Sequence, residues 1–456
     1  EWGLRRGCAV ITSDKSTGNG FFDHGRRVGL RVDGLASTDL SDPLLSFVPT
    51  STAASPWLSS KHAHAGVDPE AQWGERLIET ARIGFEWLNV ELRDRLRRPL
   101  TPANTMVIAS GISNGGAVVL RALELDRASP RERWFDAAVV SEPNAIVAAA
   151  QPQLRLADTG TGPARAVAVR SLLDYATLLA LLQPCAVLAA DELDAPLAAT
   201  TQANRAFHEA WCADLVSHGE IKGSTSEAPC GLRFAAVDGA GRPRPLTDEE
   251  WARLFSDGTG IPPTAGIAIV RDDGTPANAP GVARCLRGWV DAATSGRAEG
   301  FATRLRAGLE EIQMRADPGW RPVIVLHGRR DGLIPVNHSS RPWYAAALAR
   351  DRRRELRYYE VEHGQHFDAF LGLPGFANAY VPMQPHLLAA MDQVEARLRA
   401  GRALAPSQVV RSRPRNAVLP GGAAPLQRAD LGAVQSRPGA NERIALRGDG
   451  ALIVPP

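Results

Sequence analysis

Lysine is almost absent from this chain, and neither sign of charge is in excess. Lysine occurs only at Lys15, Lys61 and Lys222, so nearly all of the 52 basic residues are arginine. They are balanced by 50 acidic residues, which gives a formal net charge of +2. A protein that binds the nucleic-acid backbone usually carries a surplus of positive charge. We therefore expect no nucleic-acid partner, and we attribute the arginine preference to genome composition.

Long apolar runs and a leader-like beginning are also missing. No run approaches the roughly 18 apolar residues that cross a bilayer, so we expect no membrane segment. The sequence opens with Glu1-Trp2-Gly3-Leu4, without an initiator methionine or the charged and apolar regions of a signal peptide. We therefore expect that the true N-terminus lies upstream, so that localisation cannot be read directly from this chain.

Cysteine is sparse, with five residues in 456. Cys8 stands in an apolar run, where a free buried thiol is expected. The other four fall in one central region, where they form either disulfides, as in an oxidising compartment, or separate thiols: Cys185, Cys212, Cys230 and Cys285. None has zinc-ligand spacing, and we interpret His62 and His64, which stand in a predicted loop, as surface histidines and not as metal ligands. We therefore predict no metal site.

Strand-like and helix-like patterns alternate in the first third of the chain. Buried strands are predicted at residues 7–14, 105–110 and 135–141, with glycine-rich or polar loop through residue 25 and over residues 33–66. Helices are predicted from Asp68-Pro69, where apolar residues recur every three or four positions, and again over residues 116–125. This alternation predicts an α/β fold with a mostly parallel sheet and helices on both faces.

The remaining pattern divides the chain into four parts. Residues 1–144 form the first part of the core, and residues 145–320 are too long for a simple connection, so we interpret them as an inserted lid. Residues 321–400 return to the core with strands near 322–327 and 356–361. Residues 401–456 form a tail rich in proline and arginine, and two short alternating runs there predict a terminal hairpin.

The most specific motif is Gly111-Ile112-Ser113-Asn114-Gly115, between a predicted strand and a predicted helix. In this G-x-S-x-G arrangement the glycines allow the strand and helix to approach, and a strained turn exposes the serine hydroxyl. We therefore predict Ser113 as a nucleophile. The backbone N–H of Asn114 is the expected oxyanion donor.

A serine nucleophile needs a base, and the base needs an orienting acid. Asp331 follows one later strand and His366 follows the next, so the order Ser, Asp, His agrees with an α/β-hydrolase. His363 is the alternative base, because it stands at the end of the same strand. Asp331 could instead cap a turn, and His327 ends a strand, where we expect it to be structural.

The expected beginning of an α/β-hydrolase sheet is missing. About four strands precede the nucleophile strand in such a sheet, whereas this chain offers one, near residues 7–13. The loop that normally supplies the second oxyanion donor is not found either. We therefore expect that the first strands of the sheet are absent from this chain.

Resemblance to a known family rests on five stretches: residues 2–20 (WGLRRGCAVITSDKSTGNG), 110–116 (SGISNGG), 135–144 (FDAAVVSEPN), 327–343 (HGRRDGLIPVNHSSRPW) and 363–371 (HGQHFDAFL). Together they resemble the D-(−)-3-hydroxybutyrate oligomer hydrolase family, over nearly the whole chain. The resemblance implies a bacterial serine esterase that cuts 3-hydroxybutyrate dimers and short oligomers to monomers. It also implies a longer N-terminal part, generally with a secretion signal, and hence a secreted or periplasmic protein. Ser113 matches the family's nucleophile, and Asp331 and His366 carry over by position.

Three functional interpretations follow from these patterns. The first is hydrolysis of a small carboxylic ester through Ser113, Asp331 and His366, with no metal or organic cofactor and no membrane partner. The second is a non-catalytic domain of the same fold that keeps the three residues by ancestry. The third is an esterase or peptidase with a different substrate, which would use the same chemistry under a different lid.

Overall fold

The computed structural model describes residues 2–13, 20–61, 68–126, 133–147, 154–189, 195–218, 232–250, 267–271, 273–294, 300–351, 355–373, 375–415, 418–419 and 422–456. The strands are β1 (Phe21–Asp23), β2 (Val28–Leu30), β3 (Ala36–Ser37), β4 (Trp57–Ser60), β5 (Ile108–Ile112), β6 (Ala137–Ser141), β7 (Leu154–Ala157), β8 (Arg165–Val167), β9 (Leu232–Val237), β10 (Pro243–Arg244), β11 (Ile267–Arg271), β12 (Val323–Gly328), β13 (Leu356–Val361), β14 (Gln408–Val410), β15 (Val418–Leu419), β16 (Gly422–Ala423), β17 (Ala445–Leu446) and β18 (Leu452–Ile453).

The α-helices are α1 (Trp73–Glu91), α2 (Asn114–Leu125), α3 (Leu172–Ala189), α4 (Ala195–Ala203), α5 (Arg205–His218), α6 (Ala279–Thr294), α7 (Phe301–Glu311), α8 (Ser340–Arg350), α9 (Phe376–Ala379), α10 (Gln384–Ala400) and α11 (Arg428–Leu431). Short 3-10 turns lie at Leu4–Arg6, Glu70–Gln72, Val336–His338 and Asp368–Gly372.

The core of the molecule is a parallel sheet of five strands in the order β14-β13-β12-β6-β5. Every residue of β6 and β12 is buried, as expected for strands that are covered on both faces. Along β6, Ala138 and Val140 pack into one apolar cluster with α2 and α8. Ala137 and Val139 pack into a second cluster with α10 on the opposite face. The predicted α/β fold with helices on both faces is therefore confirmed.

A second, antiparallel sheet was not predicted. It has the order β10-β9-β4-β1-β2-β3, with β11 also paired to β9. The prediction of loop over residues 33–66 was wrong for β3 and β4, and the glycine-rich segment before it contains β1. Strand β4 pairs with β1 on one side and with β9, from the predicted lid, on the other. Such pairing between distant segments leaves little local signal in the sequence.

The predicted strand at residues 7–14 is not formed within the described residues. Residues 8–13 have no regular secondary structure, and Val10 and Ile11 are 50% and 45% exposed. An apolar run is a strand only if a neighbouring strand supplies its backbone hydrogen bonds. Cys8 is a free thiol and is half-buried instead of fully buried.

The predicted lid is joined to the rest of the chain by strands. Strands β9 and β11 belong to the antiparallel sheet, and β7 pairs with β8 and, in parallel, with β18 of the tail. Strands β17 and β18 form the antiparallel pair at the C-terminal end. Described strands of residues 145–320 thus pair both with β4, which precedes the parallel sheet in the chain, and with β18, which follows it.

Helix α3 corrects one expectation. By length and composition alone it could cross a membrane, since its 18 residues have a mean hydropathy of 1.7, with 22% of them buried. The expectation that no such run exists was therefore wrong. Polar residues such as Asp174 and Gln183 interrupt the run without lowering its average enough. In the structure the indole N–H of Trp211 in α5 donates to the carbonyl of Leu181 in α3.

The three described cysteines of the central region are in disulfides. Cys185 of α3 is bonded to Cys212 of α5, and Cys285 of α6 is also in a disulfide. Cys230 lies outside the described residues, as do His62 and His64. Of the two alternatives, the bonded state therefore holds for the three described cysteines of this region.

A buried ion pair joins α2 to the beginning of β12. Arg321 Nη1 donates to Asp126 Oδ2 at 2.6 Å and to the carbonyl of Phe135 at 3.1 Å. The Arg321 and Asp126 side chains are 4% and 1% exposed. Desolvation lowers the pKa of Arg321, although the hydrogen bond and charge of Asp126 oppose this shift. The pair fixes the helix that follows the nucleophile turn against the central strands.

We expect Arg321→Met to lower the free energy of unfolding by about 3–5 kcal/mol, because it leaves the buried Asp126 carboxylate without its cation. Chemical denaturation monitored by circular dichroism measures the change. The matched control is Arg205→Met, which breaks an exposed pair with Glu209 (58% and 56% exposed) and should leave stability unchanged within error. Equal effects of the two substitutions would contradict this account of the buried pair.

Candidate active site

Ser113 occupies the sharp turn between β5 and α2. Its backbone has φ 58° and ψ −123°, in the left-handed region that non-glycine residues avoid. The turn is held by three backbone hydrogen bonds: the N–H of Ser113 donates to Ser141, and the carbonyl of Ser113 accepts from Ala117 and Asn144. Because strained conformations persist only where the surroundings hold them, the neighbouring strand β6 fixes the direction of the serine side chain.

The glycines of the motif do not have equal roles. A Cβ at Gly111 would overlap the carbonyl group of Gly115, and a Cβ at Gly116 would lie 3.0 Å from the Pro143 side chain. At Gly115 a Cβ would meet nothing within 4 Å. The close approach of strand and helix therefore requires Gly111 and restricts Gly116, whereas the second glycine of the G-x-S-x-G pattern stands in open space.

Three side chains predicted from distant segments meet at one edge of the parallel sheet. His366 Nε2 is 2.9 Å from Ser113 Oγ, and His366 Nδ1 is 2.6 Å from Asp331 Oδ2. His366 and Asp331 are buried, with 1% and 4% exposure. The order of the contacts, hydroxyl to imidazole to carboxylate, is the order in which a proton can leave a serine hydroxyl.

The alternative base, His363, lies elsewhere. Its Nδ1 is 3.2 Å from Ser412 Oγ, and its backbone N–H donates to the same hydroxyl. Partial burial lowers the pKa of His363, and the charge of Arg330 acts in the same direction. The structure therefore brings His366, and not His363, to the Ser113 hydroxyl.

The Asp331 carboxylate accepts four hydrogen bonds. Oδ1 accepts from the backbone N–H groups of Leu333 and Ile334, at 2.9 and 2.8 Å. Oδ2 accepts from His366 Nδ1 and, at 3.1 Å, from His327 Nε2. Asp331 therefore caps its own turn and also contacts the imidazole. The turn-capping interpretation and the triad interpretation of this residue are thus compatible with each other.

The same contacts keep Asp331 ionised. Burial alone opposes ionisation, but the hydrogen bonds and charges of His327 and His366 outweigh it and lower the pKa of Asp331 to about 2. Sequence reasoning missed His327 as a partner of Asp331. The sequence did carry one signal: His327 stands four residues before Asp331, at the end of the strand that Asp331 follows.

Glu142 is a second carboxyl group near the site, and sequence reasoning missed it too. It follows β6 directly, has φ 43° and is 1% exposed. Its Oε1 has no hydrogen-bond partner among the described residues. Burial raises the pKa of Glu142 well above its usual value, and the nearby charges of Asp331 and Asp368 add to this shift. The surroundings of Glu142 therefore favour its neutral form, whereas those of Asp331 favour its ionised form.

Asn114, the predicted oxyanion donor, is the first residue of α2. Its backbone N–H thus stands at a helix N-terminus beside the Ser113 side chain, where the helix dipole favours negative charge. The side-chain oxygen of Asn114 accepts from Asn144 Nδ2 at 3.3 Å. This contact ties the start of α2 to the segment that follows β6.

Exposed apolar side chains stand next to the three residues along the chain. Ile112, Leu333 and Phe367 are 42%, 48% and 39% exposed, and each stands one or two residues from Ser113, Asp331 or His366. We call these three residues the apolar rim. The Phe367 ring packs edge-on against the His366 ring, with their centroids 4.2 Å apart. Exposed apolar side chains beside a reactive hydroxyl form a surface suited to an apolar ligand.

Helix α3, from the predicted lid, reaches this edge. The Tyr175 hydroxyl donates to the carbonyl of Gly332 at 2.9 Å, and its ring lies 5.2 Å from the ring of His338. Desolvation and the charge of Asp331 raise the pKa of Tyr175. The first turn of α3 is therefore fastened to the loop that carries Asp331.

Within the described residues, no group of three or more acidic, histidine or cysteine side chains could hold a metal ion.

Comparison with known proteins shows the family to which the chain belongs. A family model described as 3HB-oligomer hydrolase (3HBOH) matches residues 1–229 and 226–456. The chain belongs to the 3HB-oligomer hydrolase family. The resemblance seen in the sequence is thereby confirmed, and with it the assignment of the chain as a hydrolase.

Alignments with individual relatives extend over the whole length of this 3HB-oligomer hydrolase family member. The D-(-)-3-hydroxybutyrate oligomer hydrolase of Paracidovorax citrulli (strain AAC00-1) is 33% identical over 551 residues, covering 100% of this chain and 75% of the relative. The protein of the same name from Azoarcus sp. (strain BH72) is 33% identical over 553 residues, with the same coverage. Among solved structures, a ligand-bound form of the rice cell wall degrading esterase LipA from Xanthomonas oryzae is 13% identical, with a TM-score of 0.35, covering 78% of this chain and 75% of that one.

The crowding at Gly111 generates one prediction. Gly111→Ala should lower the free energy of unfolding by about 3 kcal/mol, since the new methyl group can be accommodated only if the turn shifts. Activity per folded molecule should fall with it. The matched control is Gly115→Ala, which places a methyl group in open space in the first turn of α2 and should be tolerated. Denaturation and esterase assays compare the two, and equal tolerance of both would contradict the crowding.

The raised pKa of Glu142 generates another prediction. Its pKa is raised in the folded protein, so the stability it contributes is fully present below its unfolded pKa of about 4.5 and is lost as pH rises towards the folded value. Glu142→Gln mimics the neutral form and removes this loss. The stability of the variant relative to the parent should therefore grow by up to about 1.4 kcal/mol per pH unit above pH 4.5. Denaturant midpoints at several pH values measure it, and parallel pH curves would show that Glu142 is ionised in the fold.

Proposed function

We propose that this chain is a serine esterase that hydrolyses 3-hydroxybutyrate dimers and short oligomers to monomers during polyhydroxybutyrate breakdown. The observation that carries the proposal is the contact of Ser113 Oγ with His366 Nε2, with Asp331 bonded behind the ring. Membership of the 3HB-oligomer hydrolase family and the names of the relatives support the substrate class.

The first half of the reaction forms an acyl-enzyme. His366 Nε2 takes the Ser113 proton as Oγ bonds to the ester carbonyl carbon, and the carbonyl electron pair moves onto its oxygen. The N–H of Asn114 stabilises this oxyanion. When the carbonyl re-forms, the bond to the alcohol breaks, and the imidazolium of His366 protonates the departing oxygen. Asp331 holds the ring and stabilises its charged form.

The second half releases the acid. His366 takes a proton from water, whose oxygen bonds to the acyl carbon, and the bond to Ser113 Oγ then breaks with the proton returned to the serine. One ester and one water thus give one acid and one alcohol, and Ser113 ends as it began. These steps need no metal or organic cofactor, because the imidazole carries every proton.

The apolar rim supports the choice of substrate. Ile112, Leu333 and Phe367 are exposed apolar side chains next to Ser113, Asp331 and His366 in the chain, and we propose that the methyl-branched chain of a 3-hydroxybutyrate ester buries its methyl groups against them. A strongly charged or sugar-like substrate would gain little from such a surface. Arginine side chains of the lid are candidates for the terminal carboxylate.

We also propose that the protein works outside the cytoplasm, in the periplasm or in the medium. The disulfide between Cys185 and Cys212 and the bonded state of Cys285 support this, since disulfides persist in oxidising compartments and are rare in the cytosol.

Release of monomer from the 3-hydroxybutyrate dimer tests the proposed function. The parent chain should hydrolyse the dimer, and Ser113→Ala should lower turnover by at least about 10⁴-fold. The matched control is Ser110→Ala, which removes an exposed hydroxyl from β5, the strand that precedes Ser113. This variant should retain turnover.

The outcomes of this assay separate the three interpretations. Equal turnover by the parent and Ser113→Ala would end the nucleophile assignment. Hydrolysis of p-nitrophenyl butyrate or a peptide amide without hydrolysis of the dimer would indicate a different substrate class. If the folded parent hydrolyses neither the dimer nor p-nitrophenyl butyrate nor a peptide amide, the interpretation as a non-catalytic domain would be favoured.

A further inference from the structure

His327 is a fully buried histidine at the end of β12. Its side chain is 0% exposed, and its Nε2 lies 3.1 Å from Asp331 Oδ2 and 2.8 Å from the carbonyl oxygen of Ile334. Both neighbours are hydrogen-bond acceptors, so Nε2 must carry a hydrogen, which the two acceptors share in a bifurcated hydrogen bond. Its Nδ1 has no hydrogen-bond partner among the described residues. A hydrogen on Nδ1 would therefore be buried without an acceptor, which favours the Nε2–H tautomer.

The hydrogen bond from His327 reaches the same oxygen that His366 uses. Asp331 Oδ2 thus receives two ring donors, and Oδ1 receives two backbone donors from the turn that follows. Because these four donors stand at fixed positions, the carboxylate can satisfy all of them in only one orientation. Without His327, Oδ2 would be held by His366 alone, and carboxylate and imidazole could tilt together away from Ser113.

His327 also closes the loop that carries the acid. Its bond to the Ile334 carbonyl joins the end of β12 to a residue three positions beyond Asp331. The carboxylate therefore lies in a short loop that begins where β12 ends. The far side of this loop, at Ile334, is hydrogen-bonded back to His327 of the same strand. Such support from behind a reacting group is what keeps it within the small tolerance that catalysis requires.

We propose that His327 is a positioning residue, which holds the Asp331 carboxylate so that His366 stays aimed at the Ser113 hydroxyl. This inference rests on the proposed esterase function. It differs from a purely structural role for His327 in one respect: loss of the Nε2–H donor lowers the rate of the chemical step more than it lowers stability or substrate binding.

A set of three variants separates the donor from the space that it fills. His327→Leu removes the donor and keeps an apolar side chain. His327→Gln keeps an N–H donor that can reach the position of Nε2. The matched control is His386→Leu, because His386 of α10 is also buried, at 5% exposure, and makes no hydrogen bond to Ser113, Asp331 or His366.

The first readout is kcat and KM for a short 3-hydroxybutyrate ester, per active site titrated with a phosphonate, alongside the melting temperature. His327→Leu should lower kcat by on the order of tenfold to a hundredfold, with KM within about twofold of the parent. His327→Gln should recover most of the loss, and His386→Leu should stay within about twofold of the parent. Unchanged kcat in His327→Leu, or equal losses in the Leu and Gln variants, would overturn the proposal.

The second readout does not depend on turnover, so it separates failure of this inference from failure of the proposed function. The proton between His366 Nδ1 and Asp331 Oδ2 should give a downfield proton resonance, assigned by its loss in Asp331→Asn. His327→Leu should shift or broaden this resonance, and His386→Leu should leave it in place. If the parent hydrolyses no ester, this resonance alone decides: the same signal in His327→Leu and the parent, or no signal in the parent, would overturn the proposal.

Discussion

The parallel pairing of β5, β6, β12 and β13 is the constraint on which the candidate site depends. Parallel strands in register end at the same edge of a sheet, so the residues that follow each of them are brought together however far apart they lie in sequence. Ser113 follows β5, Glu142 follows β6, Asp331 follows β12 and His366 follows β13. Ser113 and His366 are separated by 253 positions and yet are hydrogen-bonded.

Two buried carboxyl groups at this edge have pKa values that are shifted in opposite directions, and their surroundings explain the difference. Burial raises the pKa of Glu142, one oxygen of which has no hydrogen-bond partner among the described residues, whereas the hydrogen bonds and charges of His327 and His366 outweigh burial at Asp331 and lower its pKa. Because the two charges would repel each other in a medium of low polarity, a single ionised carboxylate is the more stable arrangement. The negative charge is thereby concentrated behind the imidazole, where an imidazolium would form during catalysis.

The sequence predicted those parts of the molecule whose signals are local. The strand before Ser113, the helix after it and the loops of Asp331 and His366 could all be located from apolar runs and turn residues. The antiparallel sheet could not, because β4 is paired with β9 from a segment more than 170 residues later. The apolar run at residues 7–14 predicted a strand, and the structure gives its described residues no partner strand.

The same limit applies to the site. Glu142 is a polar residue directly after a buried strand, and nothing in the sequence shows which groups surround it. The four-residue spacing of His327 and Asp331 was a signal, but spacing alone does not show that the two side chains are hydrogen-bonded. The importance of both residues depends on Asp331, which the folded sheet brings into hydrogen-bond contact with His327 and close enough to Glu142 for its charge to act there. The preference for His366 over His363 rested on its place in the loop, and the distance to Ser113 Oγ now supports it.

The central claim is that Ser113 is a nucleophile activated by His366. The most direct measurement is covalent labelling with a fluorophosphonate, followed by mass spectrometry of the digested protein. The account predicts one phosphonyl adduct, on the peptide that contains Ser113, with slow or no labelling in His366→Ala. An adduct on another residue, or equally fast labelling in the absence of the His366 imidazole, would contradict it.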